Sequence, residues 1–107
     1  MDHLAELFWA LGEKGRLKIL RLLAEEEKCV CELIEELELS QAAISHHLRI
    51  LRKTGLIKVR RQGRWGFYSI DKEAFAGFKT LLNQELFQMV AKSPEGKTRI
   101  SATCEKK

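Results

Sequence analysis

The chain has 107 residues, a length that suits one domain and hardly two. With 45% hydrophobic residues it can bury a core without disulfide staples. No apolar run reaches the roughly 18 residues of a membrane-spanning helix, and three cysteines fit a reducing compartment better than a disulfide framework. The net charge of +4 is unevenly spread: residues 1–38 carry ten acidic and five basic side chains, whereas residues 39–72 carry eight Lys/Arg and one acid, Asp71. A basic middle beside an acidic half is the electrostatic footprint of a polyanion site.

The chain opens with Met1, Asp2 and His3 and not with a basic stretch and an apolar signal core, so a cytoplasmic location and no membrane partner are expected. Leu4, Leu7, Phe8 and Leu11 recur at helical spacing and predict a first amphipathic helix, with Gly12 and Gly15 around its end. Leu17, Leu20 and Leu23, flanked by Ile19 and Leu22, predict a second helix that ends in the Glu25–Glu27 run. Val30, Leu33, Ile34 and Leu37 mark a short third helix. Ser40 is a good N-cap for a fourth helix with a buried stripe of Ile44, Leu48 and Leu51, and Gly55 suits the position just past its end.

Residues 56–60 and 65–70 read as two strands joined across a turn containing Gly63. Asp71 can cap a long last helix with Phe75, Phe78, Leu82, Leu86 and Met89 on one face. After Ser93 and Pro94 the chain turns polar and basic. The reading is therefore one domain over residues 1–92 and a flexible basic tail over 93–107. The fold class is mainly α with a small β-hairpin, and about three residues separate the third helix from the fourth, the connection a helix-turn-helix needs.

A helix entering the major groove needs small polar donors near its N-terminus and cations further along. The fourth helix supplies Ser40, Gln41, Ser45 and His46 early, then Arg49, Arg52 and Lys53. Gln41 can pair with an adenine edge through two hydrogen bonds. The hairpin carries Lys58, Arg60, Arg61 and Arg64, with Gln62 and Gly63 at its tip, and such a tip can lie along phosphates or reach into a minor groove. A basic hairpin alone could be a solvated face; placed directly after a capped basic helix, it predicts binding of double-stranded DNA. Apolar groups on the first and last helices, including Phe8, Trp9, Phe75 and Phe78, exceed what so short a chain readily covers. A homodimer through those helices would bury them and address two half-sites of a near-palindromic operator.

Residues 39–70, LSQAAISHHLRILRKTGLIKVRRQGRWGFYSI, resemble the recognition helix and wing of the ArsR/SmtB family of metal-responsive repressors. Ser45-His46-His47-Leu48, the segment Leu51 to Ile57 and the Arg61–Tyr68 wing are the most specific matches, and the likeness extends over roughly residues 4–92. The resemblance implies a winged helix-turn-helix, a homodimer, and a repressor released from its operator by an inducer. By the same likeness His47 packs against the core and His46 faces DNA.

Cys29 and Cys31 open the third helix. Thiols at i and i+2 point about 200° apart on a regular helix but the same way in extended backbone, so the pair can chelate only if Cys29 precedes the first turn or binding unwinds it. Thiolates favour soft ions, and Lys28 would add to thiolate character at a helix N-terminus. Lys28-Cys29-Val30-Cys31-Glu32-Leu33 resembles the cysteine motif of the arsenic-responsive branch of the family, which implies trivalent arsenic or antimony as inducer on Cys29 and Cys31. Where that motif often has a third cysteine, this chain has Ile34, leaving Cys104 as the one other source of sulfur. Thiol oxidation, cadmium or lead, and a non-sensing DNA-binding protein whose cysteines merely pack are the alternatives. No permanent cofactor is expected. A zinc or nickel site on the last helix is not expected either, since that helix lacks histidine. Without a phosphate loop, nucleophile elbow, zinc-protease motif or paired acid/base constellation, an enzyme is not expected.

Overall fold

The computed structural model describes residues 1–94; the predicted tail beyond Pro94 and Cys104 lie outside the described residues. The elements run α1 (Asp2–Leu11), α2 (Lys14–Glu25), β1 (Lys28–Cys29), α3 (Val30–Leu37), α4 (Gln41–Lys53), β2 (Ile57–Gln62), β3 (Trp65–Ile70) and α5 (Lys72–Leu82). A π-helical turn, Asn83–Phe87, carries α5 into α6 (Gln88–Ala91).

Local chemistry accounts for most boundaries. Glu13 caps α2 by accepting from Arg16 N–H at 3.1 Å, Ser40 caps α4 by accepting from Ala43 N–H at 3.1 Å, and Asp71 caps α5 by accepting from Ala74 N–H at 3.1 Å. Between α3 and α4 the turn needs one left-handed residue. Glu38 adopts it, at φ 57° and ψ 37°, and its N–H closes the helix on Ile34 O at 2.9 Å.

The main core joins α2, α3, α4 and the sheet. Ile19, Leu33, Ile44 and Leu51 are fully buried, with Leu20, Leu23, Leu48, Ile57 and Tyr68 around them. The α4 stripe read from sequence, Ile44, Leu48 and Leu51, is thus the side that anchors the helix against α2 and α3. On α2 the phase differs slightly from expectation: Leu17 is half exposed and Arg16 is buried in its place. The last helix also departs. The extra residue of the π turn rotates the helix beyond it, and Met89, expected on the apolar face with Phe75 and Phe78, is exposed.

The expected two-stranded hairpin is in fact the outer part of a three-stranded antiparallel sheet of order β1-β3-β2. β2 extends to Gln62, so the hairpin runs from the Ile57–Ile70 rung to Gln62–Trp65 with a two-residue turn. Gly63 begins that turn at φ 61°, where a side chain would be strained. The third strand is the Lys28–Cys29 segment, paired with Tyr68 and Phe67. Two residues carry no readable alternation, so this strand exists only because β3 offers it a free edge.

Candidate nucleic-acid interface and cysteine pair

Anchoring α4 by its apolar stripe leaves Gln41, Ser45, His46 and Arg49 exposed on the opposite side, together with Arg52 and Lys53. Ser40 stands at the helix entrance, its Oγ engaged with Ala43 N–H. These exposed side chains therefore lie on one face of the helix, away from its buried stripe. The helix-turn-helix reading thereby acquires a geometry: α3 packs on α4, α4 is held from behind, and its polar face is free to enter a groove.

His47 and His46 differ in exposure. The His47 side chain is 11% exposed, whereas His46 is exposed. Arg16 Nη1 lies 3.3 Å from His47 Nδ1. A guanidinium can only donate, so Nδ1 accepts and the proton of the neutral ring is on Nε2, 3.7 Å from Glu13 Oε1. Burial pushes His47 below the usual imidazole range, against the opposing pull of Glu13; Arg16 and His46 push the same way as burial. Arg16 also donates from Nε to Ala10 O at 2.6 Å and lies 5.2 Å from the Trp9 ring centroid. It thus ties the end of α1 to the back of α4. Sequence reading missed this residue; a lone arginine on an otherwise apolar phase of α2 was the available signal.

The wing brings Arg60, Arg61, Gln62 and Arg64 to the surface, but not in one environment. Arg61 folds across β3, where a Cβ on Gly66 would come within 2.9 Å of its Nη1, so glycine there makes room for the guanidinium. Neither Arg61 nor Arg64 has a carboxylate partner among the described residues. Arg60 is engaged: it donates to Glu27 from Nη2 at 2.8 Å and Nε at 3.2 Å, and to Gln62 Oε1 from Nη1 at 2.8 Å. Its guanidinium sits 4.8 Å from the Phe67 ring centroid. The ion pair holds Glu27 below the ordinary carboxylate range and raises Arg60.

Both described cysteines are free thiols, Cys31 exposed and Cys29 half-buried. Cys29 is the N-cap of α3 with extended backbone, φ −93° and ψ 170°, and Cys31 lies on the first turn. This is the arrangement in which two thiols at i and i+2 need not diverge. Glu32 accepts from Cys29 N–H at 2.9 Å, one half of a capping box in which the sulfur faces the Glu32 N–H. Cys29, Cys31, Arg61, Arg64 and Trp65 border one surface cavity of about 160 Å³. Among the described residues no three metal-ligating side chains cluster. Lys28, expected to act on the thiols, instead turns inward. It is 4% exposed and its ammonium donates to Glu36 at 3.0 Å and Glu26 at 3.2 Å, which raises its pKa. β-strand alternation sends it to the face opposite Cys29.

A helix-turn-helix held from behind and followed by a basic two-stranded wing defines a winged-helix DNA-binding protein. Residues 13–59 match the family described as bacterial regulatory protein, arsR family. An uncharacterized HTH-type transcriptional regulator of Methanocaldococcus jannaschii is 54% identical over 70 residues, covering 64% of this chain and 79% of that protein. An arsenical resistance operon repressor of Bacillus subtilis is 38% identical over 90 residues, covering 83% of each chain. An ArsR-like transcriptional regulator from Rhodococcus sp. RHA1 has a similar structure, with a TM-score of 0.74, 27% identity, and coverage of 84% of this chain and 88% of that one. Other relatives are longer: the chain spans 52% of a SmtB repressor homolog and 58% of a cadmium resistance regulator homolog.

The chain belongs to the ArsR family and is a DNA-binding transcriptional regulator, not an enzyme. Among the described residues no helix is long and apolar enough to cross a membrane.

Proposed function

We propose that this chain is a transcriptional repressor that binds a near-palindromic operator as a homodimer and leaves it when trivalent arsenic or antimony is captured by Cys29 and Cys31. The observation that carries the reading is the placement of Cys29 as an extended N-cap two residues before Cys31, at the entrance of the helix-turn-helix. Two thiols there can displace two hydroxides from arsenous acid, releasing two waters and leaving one As–O bond. A third thiol, for which Cys104 is the remaining source, would displace the last. Bases are read from Ser40 to His46, through Gln41, Ser45 and His46 with the cation of Arg49 beside them, and phosphates are held by Arg61 and Arg64 of the wing. Exposed Phe8, Trp9, Phe87 and Val90 on the first and last helices support a dimer that buries them.

The arsenical name of the Bacillus subtilis relative favours arsenic. The test measures binding to a duplex selected by the wild-type chain, against arsenite, antimonite, cadmium, lead and peroxide. Wild type should release with arsenite and antimonite. Cys29→Ser and Cys31→Ser should bind DNA normally and fail to release. Release of both variants by arsenite, or release of wild type by cadmium or peroxide alone, would overturn the assignment.

A further inference from the structure

The stretch between α2 and α3 sends alternate side chains to two different neighbours. Lys28 goes inward to Glu36 on α3. Glu27 goes outward to Arg60 on β2, gripping both Nε and Nη2 in a two-pronged pair. Arg60 stands opposite Phe67 in the β2–β3 register, and Phe67 stands opposite Cys29 in the β1–β3 register. Directly opposed residues share a sheet face, so Glu27, Cys29, Phe67 and Arg60 close a ring that joins the cysteine segment to the wing.

We propose that Glu27 and Arg60 are a positioning pair that passes the state of the cysteine segment to the wing, and that Arg60 is not one of the phosphate contacts; the first part rests on the sensing reading above. Three observations support it. Arg60 already uses Nε, Nη1 and Nη2 within the chain, whereas Arg61 and Arg64 have no carboxylate partner among the described residues. The β1–β3 ladder has only two rungs and could slip by itself; the Glu27–Arg60 pair makes the hairpin move with it. Cys29 is both the N-cap of α3 and a ladder residue, so a pull on its sulfur toward the first turn would also act on the ladder. The wing is thus a second route from the thiols to DNA, beside the packing of α3 on α4.

The test uses the full chain, arsenite as probe, and a duplex selected by wild type from a random library. Glu27→Gln, Arg60→Gln and the double variant are compared for thiol titration by arsenite, affinity with and without it, and salt dependence. All three should bind arsenite as wild type does and bind the duplex within about threefold of it. The wild-type ratio of affinities without and with arsenite should shrink at least about threefold in each single variant, and no further in the double. Arg60→Lys, which keeps the charge and loses the fork, should behave like Arg60→Gln. An unchanged ratio in Glu27→Gln overturns the proposal, as does a salt slope shallower by about 0.9 per chain in Arg60→Gln, which would make Arg60 a phosphate contact. Failure of arsenite to alter wild-type affinity would instead overturn the sensing reading, and the coupling with it.

Discussion

Arg61 and Arg64 make the sharpest quantitative case for the wing. Both are exposed, neither has a carboxylate partner among the described residues, and Arg61 is seated on Gly66 beside the hairpin turn. A guanidinium on a phosphate releases about 0.9 of a condensed counterion, so removing one contact should lower the magnitude of the log–log salt slope by about 0.9 per chain. Between about 50 and 200 mM salt, this makes the loss of affinity on adding salt about 3.5-fold smaller for each contact removed. Fluorescence anisotropy of a labelled duplex, titrated at four salt concentrations with Arg61→Gln and Arg64→Gln, measures the slope directly. The reduction should be alike on specific and unrelated duplexes, because phosphates carry no sequence. Unchanged slopes in both variants would refute the reasoning, and a loss confined to the specific duplex would move these arginines from phosphates to bases.

Local geometry sets two further outcomes. His47 is held below the ordinary imidazole range by burial. The unfolded chain therefore takes up a proton at about pH 6.5 that the folded chain refuses, and stability should fall as pH drops through that value toward the folded pKa. Urea midpoints at pH 7.5, 6.5 and 5.5 check this, and His47→Gln should remove that part of the slope; a variant that tracks wild type at all three pH values would show His47 is not its source. Ser40→Ala should destabilise by about 1 kcal/mol through loss of the α4 cap. Ser45→Ala, on the exposed face of the same helix, should change the urea midpoint little, and equal losses would deny the cap its role.

Much of the interface was legible in the sequence because it rests on short-range rules. Ser40 and Asp71 cap by hydrogen bonds three residues away, and the buried stripe of α4 comes from the helical period. The exposed positions Gln41, Ser45, His46 and Arg49 come from the same period once the stripe is known. The cysteine spacing was equally readable, including the condition that Cys29 precede the first turn or that binding unwind it. Which side of that condition holds was not readable, because it depends on β1.

What only the tertiary structure decided are the contacts between residues far apart in the chain. The acidic run ending at Glu27 looks like a solvated helix end, yet Glu27 meets Arg60 across 33 residues and Arg16 meets His47 across 31. Lys28 looks like a cation beside two thiols, yet strand alternation turns it to Glu36. Local periodicity determines which residues face inward on a helix. It cannot say which free strand edge a two-residue segment will find, and here that pairing fastens Cys29, at the entrance of the helix-turn-helix, to the wing.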